Sequence, residues 1–502
     1  MSDERGSAAT EAPAGPGLGS WAAAGLVFGS SAAVLVVELV ALRLLAPYYG
    51  LTLETNTMVI GLALTAIAAG TWAGGWSADR VAPRRLLGPL LGISGAAVAL
   101  TPTLVRGAAA SGDPGLLLIT ATLSILVPGA LLSAVTPVVI KLRLTSLQQT
   151  GSVVGHLSGV GTVGAIVGTV VTGFVLISRV PVSGILVGLG IALLVTSVVV
   201  QVAGRRGRGD VVLALVVALA GLGAATSPSG CDVETTYHCL AVTADPERPT
   251  GRTLVLDGLR HSYVDLEDAA HLEFAYVEAM ASVTDTAFAA DEPLTAYHLG
   301  AGGLTLPRYL SQARPGTTSA VSEIDAGVVA ADVRLLGGSL PEGVDVDVED
   351  GRLAIDELAP GSLDLIVGDA FGGVSVPWHL ATVEAIGGLE EALAEDGVYV
   401  ANLIDFGPLD FVRAAVATTA DVFDHVALLA DPSALAGEGG GNLVVVASDA
   451  PLDVAAVVDR MAERDLGWDA LDGEGLEAWI GDAPVLTDDF APVDQLLTPY
   501  SR

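Results

Sequence analysis

Lysine is almost absent from this 502-residue chain, Lys141 being its sole example. Residues 228–502 hold 11 arginines against 49 Asp and Glu, whereas residues 1–227 hold 12 Lys and Arg against 8 Asp and Glu. Neutralising a phosphate backbone requires clustered Lys and Arg, so nucleic acid is excluded as a partner. The acids of the second half form no block. With lysine missing they read as a surface adapted to high salt, the alternative being a polycation partner such as a polyamine or a basic peptide. Cysteine is scarce, with only Cys231 and Cys239. No C-x-x-C and no histidine pair accompanies them, so no metal is expected. They are either one disulfide, implying an oxidising side of a membrane, or two buried thiols.

What is abundant is apolar sequence. Residues 1–20 are polar, small and rich in Pro and Gly, hence a disordered tail, and without a basic stretch they are not expected to be a cleaved signal peptide. Apolar runs then recur at 21–46, 57–77, 86–105, 115–140, 152–177, 183–203 and 211–227. Crossing the hydrocarbon core takes about 20 residues, so the first six qualify and the seventh is marginal. The expectation is a multi-pass protein of the cell membrane with a six- to seven-helix bundle over 21–227. Arg80, Arg84 and Arg85, Lys141 and Arg143, and Arg205, Arg206 and Arg208 lie in alternate loops, which places those loops and the N-terminus in the cytoplasm. Seven spans put the C-terminal half outside, six put it inside, and seven are slightly favoured. Glu38 and Arg43 are intramembrane charges, read as a substrate contact or else as a snorkelling arginine and a glutamate paired with a neighbouring helix. Gly70–Arg80 resembles the loop after the second helix of major facilitator transporters, and Gly161–Gly168 their small-residue helix packing.

Beyond residue 228 the period shortens. Glu234–Val242, Thr253–Leu256 and Ser262–Asp265, with Asp257-Gly258 as a turn, predict a small β-hairpin layer, and 266–284 a helix, together a subdomain over 228–290. From 291 to 502, strands at 295–299, 319–324, 344–348, 363–367, 398–403, 426–429 and 443–447 alternate with helices at 304–313, 326–335, 378–394 and 408–420. That alternation predicts a doubly wound, mainly parallel, Rossmann-like sheet with its ligand beyond the carboxyl ends of the strands.

Polar residues fall at those ends in register. Gly300-Ala-Gly302 is a glycine turn opening a helix, where backbone can approach a ligand closely. Glu323, in Glu323-Ile-Asp325, is placed to accept both ribose hydroxyls. Asp350, followed by Gly351, is suited to an adenine amino group, and Asp369 faces the reacting centre. Each alone is an ordinary cap or turn; four in register make a nucleoside site.

The order Glu234-Thr-x-Tyr237, Leu256-Asp-Gly258, Tyr276-x-Glu278, Gly300-Ala-Gly302, Glu323-Ile-Asp325, Asp350-Gly351, Asp369 resembles the spermidine synthases, a family with the S-adenosylmethionine-dependent methyltransferase fold. With the apolar half upstream, and with Asp369-Ala-Phe-Gly, Pro377-x-His379 and Leu486-Thr-Asp488-Asp489-Phe, the chain is similar to membrane-fused spermidine-synthase-like proteins. The resemblance implies that Gly300, Gly302, Glu323, Asp325, Asp350 and Gly351 hold S-adenosylmethionine or its decarboxylated form. It also implies that Asp369 and Tyr276 handle the incoming amine. Tyr237, His261 and His379 are candidate substrate contacts, the two histidines being otherwise ordinary polar positions, and Asp488 and Asp489 either stand in for the acids missing at 303 and 372 or are a solvated loop pair. The expected reaction is aminopropyl transfer to an amine in polyamine biosynthesis. Methyl transfer is one alternative, and a transporter-like membrane protein sensing an S-adenosyl ligand or a polyamine is another. Expected partners are a small-molecule amine and the lipid bilayer, with a homodimer left open. Departures bear on the substrate. The family's acid inside the glycine loop is Gly303, its second acid after the catalytic Asp is Gly372, and its Gln after Leu-Asp-Gly-x-x is His261.

Overall fold

The computed structural model describes residues 18–49, 53–144, 147–203, 231–373 and 375–498. The seventh apolar run, 211–227, and most of the expected tail lie outside them. The chain divides into two compact units: one of Met1–Leu44 with Asn56–Pro228, the other of Ser229–Arg502 with Leu45–Thr55.

The first unit is helical: α1 (Ser20–Tyr49), α2 (Leu53–Arg80), α3 (Pro83–Ala110), α4 (Pro114–Ser133) running through a turn at Ala134 into α5 (Val135–Arg143), α6 (Thr150–Val171) widening into a π segment at Thr172–Leu176, and α7 (Val182–Ala203). Among the described residues, six helical stretches of 22 to 30 residues are long and apolar enough to cross a membrane. Close approach at glycine binds α6 to α1: Gly164 and Gly168 lie on the backbone of Phe28 and Ala32, and a Cβ on Gly168 would come 2.8 Å from the Ala32 carbonyl oxygen. Lys141 Nζ meets Asp79 Oδ1 at 2.8 Å, and Arg143 donates to the Leu18 carbonyl at 2.9 Å. The C-terminal ends of α2 and α5 and the start of α1 therefore share one end of the bundle.

The second unit holds two sheets. β1 (Val233–Glu234), β2 (Cys239–Ala244), β3 (Gly251–Leu256) and β4 (Leu259–Asp265) form an antiparallel sheet in chain order. The turn between β3 and β4 is Asp257-Gly258, both at positive φ as a two-residue hairpin loop requires. Leu240, Leu254, Leu256 and Val264 pack on Val328 and Ala331 of a helix from the larger sheet's layer, Ala326–Leu335. Cys231 and Cys239 are joined in a disulfide, their Cα atoms 5.3 Å apart.

Two expectations are corrected here. The run Glu234–Val242 is not one strand. Thr235 Oγ1 accepts the backbone N–H groups of Tyr237 and His238, folding 235–238 into a turn between β1 and β2. The helix expected over 266–284 begins only at Ala275, forming α8 (Ala275–Ala287). Asp265 Oδ1 accepts the N–H groups of Glu267 and Asp268 and so holds the preceding segment in a turn.

The larger sheet has eight strands in the order β12-β10-β11-β9-β8-β5-β6-β7, from β5 (Thr295–Leu299), β6 (Thr318–Glu323), β7 (Val344–Val348), β8 (Leu363–Gly368), β9 (Leu393–Phe406), β10 (His425–Ala430), β11 (Gly440–Ser448) and β12 (Asp469–Asp472). β7 to β9 pair in parallel, while β11, β10 and β12 extend the sheet antiparallel. Side chains alternate between two cores, as the strand pleat dictates. Tyr399, Ala401, Leu443 and Val445 enter one, with the helix Val383–Ala392; Val398, Val400, Val444 and Val446 enter the other, with α8. Helices thus cover both faces, and the fold is a doubly wound Rossmann-like sheet with a small antiparallel sheet beside it.

Candidate active site

β5 lies between β6 and β8, and strand order reverses there. Connections leaving such a pair diverge and open a crevice at the carboxyl ends. A cavity of about 890 Å³ occupies it, within the roughly 300–1,000 Å³ usual for small-molecule sites.

The floor is main chain. Gly300 has φ +93°, and a Cβ there would stand 2.6 Å from the carbonyl oxygen of Asp369. The Gly300-Ala-Gly302 turn and the end of β8 are therefore in backbone contact. Glu323 Oε2 accepts the N–H of Ala301 at 3.0 Å and Oε1 that of Asp325 at 2.8 Å, so the carboxylate clasps the turn from the end of β6. Burial raises its pKa. Asp350 Oδ1 caps a short helix through the N–H groups of Arg352 and Leu353, and with Gly351 it lines the cavity.

Asp369 sits at the wall with a donor on each oxygen: Tyr276 Oη on Oδ2 at 3.2 Å and Asn402 Nδ2 on Oδ1 at 2.8 Å. Asn442 in turn donates to Asn402 Oδ1 at 2.9 Å. Burial pushes the Asp369 carboxyl up to about 6, against the pull of those two hydrogen bonds. Burial and the adjacent carboxylate drive Tyr276 well above the usual phenol value, so it stays a neutral donor.

His261 and His379 line the cavity as well. Burial and the neighbouring His238 lower His261 to about 4, which makes it neutral at pH 7. His379 stands edge-on to Trp378, ring centroids 5.6 Å apart.

Four residues expected at the site are elsewhere. Asp325 is fully buried. It caps its helix through Gly327 N–H at 2.8 Å, bonds the Thr235 hydroxyl and accepts Tyr237 N–H at 3.3 Å, which ties β1 and β2 to the sheet. Tyr237 lies on that turn rather than on the cavity wall. Asp488 is taken up by Arg352 at 3.0 Å and Thr382 at 2.7 Å, and Asp489 is exposed. The departure at Gly303 has a steric cause. A Cβ there would meet Ser262 Oγ at 2.7 Å and Val264 at 3.0 Å. At Gly372 a Cβ would meet the Ser375 carbonyl oxygen at 3.9 Å, an ordinary contact, so nothing in the packing of the described residues explains that departure.

Asn402, Asn442 and His238 are among the lining residues that escaped the sequence reading. Asn402 was legible in principle, as a polar residue inside the apolar run of β9. Asn442 is its counterpart on β11. His238 carries no local signal, because its partner Asp257 is 19 residues away, with Nδ1 to Oδ2 at 2.7 Å.

Neither a protein-family model nor a curated protein matches the chain. Solved structures do, over the C-terminal half. A probable spermidine synthase from Corynebacterium glutamicum is 26% identical with a TM-score of 0.48, over 51% of this chain and 95% of that one. The spermidine synthase of Thermotoga maritima is 18% identical with a TM-score of 0.34, over 52% and 81%. Human methyltransferase-like protein 13, solved with SAH, is 19% identical with a TM-score of 0.32, over 44% and 97%.

Proposed function

We propose that the α/β unit is a transferase that moves a carbon group from the sulfonium of an S-adenosyl donor to an amine. The observation that carries this reading is the pairing, on one cavity, of a glycine turn clasped by Glu323 with a carboxylate titrating near pH 6 and oriented by Tyr276 and Asn402. The donor's ribose meets Glu323, its adenine Asp350, and its sulfonium the gap before Asp369. The amine lone pair attacks the carbon next to sulfur, the carbon–sulfur pair returns to sulfur as a neutral thioether, and the amine proton passes to Asp369. Most of the rate comes from alignment, because a sulfonium is already a good leaving group. Near pKa 10 an amine is mostly protonated at pH 7, so a nearby proton acceptor matters.

The resemblance favours transfer of an aminopropyl group from the decarboxylated donor. Methyl transfer is the second reading, favoured by the glycines at 303 and 372 where acids would hold the far end of a diamine. The helical unit anchors the enzyme in a lipid bilayer. Support for a transferase outside the cell comes from the Cys231–Cys239 disulfide and the uncharged run 211–227 after a basic cluster. The test is to incubate the purified chain with each donor and an amine panel and to identify the thioether. Methylthioadenosine reports aminopropyl transfer and S-adenosylhomocysteine reports methyl transfer. Neither product means that the transferase reading is wrong and that a ligand-sensing domain replaces it.

A further inference from the structure

We infer that Asp488 is a positioning residue: without touching the ligand, it ties together two segments of chain at the nucleoside end of the cavity and so sets how tightly an S-adenosyl compound is held. The inference rests on the reading above that the cavity takes such a compound.

One segment is Asp350 with the short helix that it caps, Gly351–Ile355; the other is the turn Trp378–Leu380, which leads into the helix Val383–Ala392. Asp350, Gly351, His379 and Leu380 all line the cavity. A helix of five residues is too short to hold its place unaided. Ala354 and Ile355 fix its far end in the core, alongside Leu380. Its near end, where Asp350 stands, has Arg352. Oδ1 of Asp350 is engaged by the Arg352 and Leu353 N–H groups, so a shift of Arg352 carries that carboxylate with it.

Asp488 reaches both segments with one carboxylate. Oδ2 accepts Arg352 Nη2 at 3.0 Å, and Oδ1 accepts the Thr382 hydroxyl at 2.7 Å. Arg352 lies two residues past Asp350, and Thr382 three past His379. The carboxylate is itself held from behind. Leu486 is fully buried, its carbonyl accepts the Val383 N–H at 2.8 Å, and the Asp488 N–H bonds Glu384 at 2.9 Å. Thr487 and Phe490 close the turn through reciprocal backbone bonds of 3.0 and 2.9 Å. In the stretch Leu486-Thr-Asp488-Asp489-Phe490, the leucine is thus the anchor, Asp488 the tie and Asp489 solvated. Bulk stability is the competing role. The Asp488 and Arg352 side chains keep 41% and 22% of their exposure, and an ion pair so open to water adds little to global stability. Its effect is therefore expected in ligand affinity and not in melting.

The experiment is calorimetry on the full chain in detergent, with two probes that share the adenosyl end and differ in the tail: S-adenosylhomocysteine and methylthioadenosine. Asp488→Ala should weaken both alike, by about fivefold to tenfold. Asp488→Asn keeps an oxygen for Thr382 and loses the charge toward Arg352, so about threefold is expected. Arg352→Gln added to Asp488→Ala should weaken binding no further, because the two residues act through one bond. Asp489→Asn removes the neighbouring charge and should change neither affinity by as much as about twofold. All of these variants should melt within about 2 °C of the wild type. Unchanged affinity in both Asp488 variants overturns the inference. So does a loss confined to S-adenosylhomocysteine, which makes Asp488 a tail contact, or an equal loss in Asp489→Asn, which reduces the effect to net charge. A fall in melting temperature beyond about 5 °C in both Asp488 variants makes the role structural and overturns it too. If the wild type binds neither probe, the S-adenosyl reading fails and this inference with it; if it binds both and the Asp488 variants bind as well, this inference alone fails.

Discussion

Replacing Asp369 by Asn should abolish turnover and at the same time stabilise the protein above neutral pH. The carboxyl sits at about 6 instead of 3.8 because the wall of the cavity disfavours its anion. That rise corresponds to roughly 3 kcal/mol between the two protonation states. The sign follows from linkage. A carboxyl with a raised folded-state pKa fits the fold while protonated, so nothing is lost below about pH 4 and stability falls as pH climbs through about 6. Asparagine cannot ionise. It keeps an oxygen for the Asn402 amide, and its own amide can donate to the Tyr276 oxygen, so the packing survives. Thermal melts in detergent should show Asp369→Asn several degrees more stable than wild type at pH 8, at roughly 2–4 °C per kcal/mol for a domain this size, and indistinguishable at about pH 3.5. Turnover should fall about a hundredfold or more, as when a positioned base is removed, with donor affinity kept. In the wild type, turnover should rise from pH 5 to 7 with a midpoint near 6. A variant that melts earlier than wild type at pH 8, or one that turns over normally, would refute the reasoning.

Three further outcomes are expected. Glu323→Ala and Asp350→Ala should each weaken donor binding by roughly 1–3 kcal/mol, measured calorimetrically, and unchanged affinity in both folded variants would remove them from the site. Asp325→Ala should instead cost about 1–3 kcal/mol of stability, through the lost cap on Gly327 N–H and the lost bond to the Thr235 hydroxyl, while donor affinity changes less than twofold in the folded protein. Cys231 and Cys239 should react with a membrane-impermeant thiol reagent in intact cells only after reduction; labelling that needs lysis but no reductant would put the domain inside.

Much of the fold was legible because its signals are local. Asp257-Gly258 forms its turn unaided, and the strand ends carrying Gly300, Glu323, Asp350 and Asp369 follow from apolar runs punctuated by polar residues. The misreadings share one physical origin: side chains bonding to backbone. Thr235 breaks a run that has strand composition, and Asp265 holds open a segment that has helix composition. Asp325 has the address of a ligand contact, two residues beyond Glu323, but its carboxylate is spent inside the protein. The His238–Asp257 pair lay beyond reach for the opposite reason. It exists only because β2 and β3 pair with Leu240 opposite Leu256, which brings His238 against the turn residue Asp257 across the sheet.

Backbone contact between Gly300 and Asp369 also has a consequence for how such an enzyme diversifies. Under the proposed function, the turn that meets the donor and the strand end that carries the acceptor carboxylate are consecutive pieces of one hydrogen-bonded ladder, with Asp369 N–H on the Leu299 carbonyl at 3.0 Å and Gly300 N–H on that of Ser322 at 2.9 Å. The sheet thus fixes the backbone of Asp369 against the glycine turn, and Tyr276 and Asn402 fix its carboxylate. His238, His261 and Ser262, by contrast, arrive on a separate four-stranded layer. The glycine turn and this part of the cavity wall are thus carried by different sheets. Exchanging the hairpin layer alone should redirect which donor or acceptor is admitted while the transfer distance stays fixed.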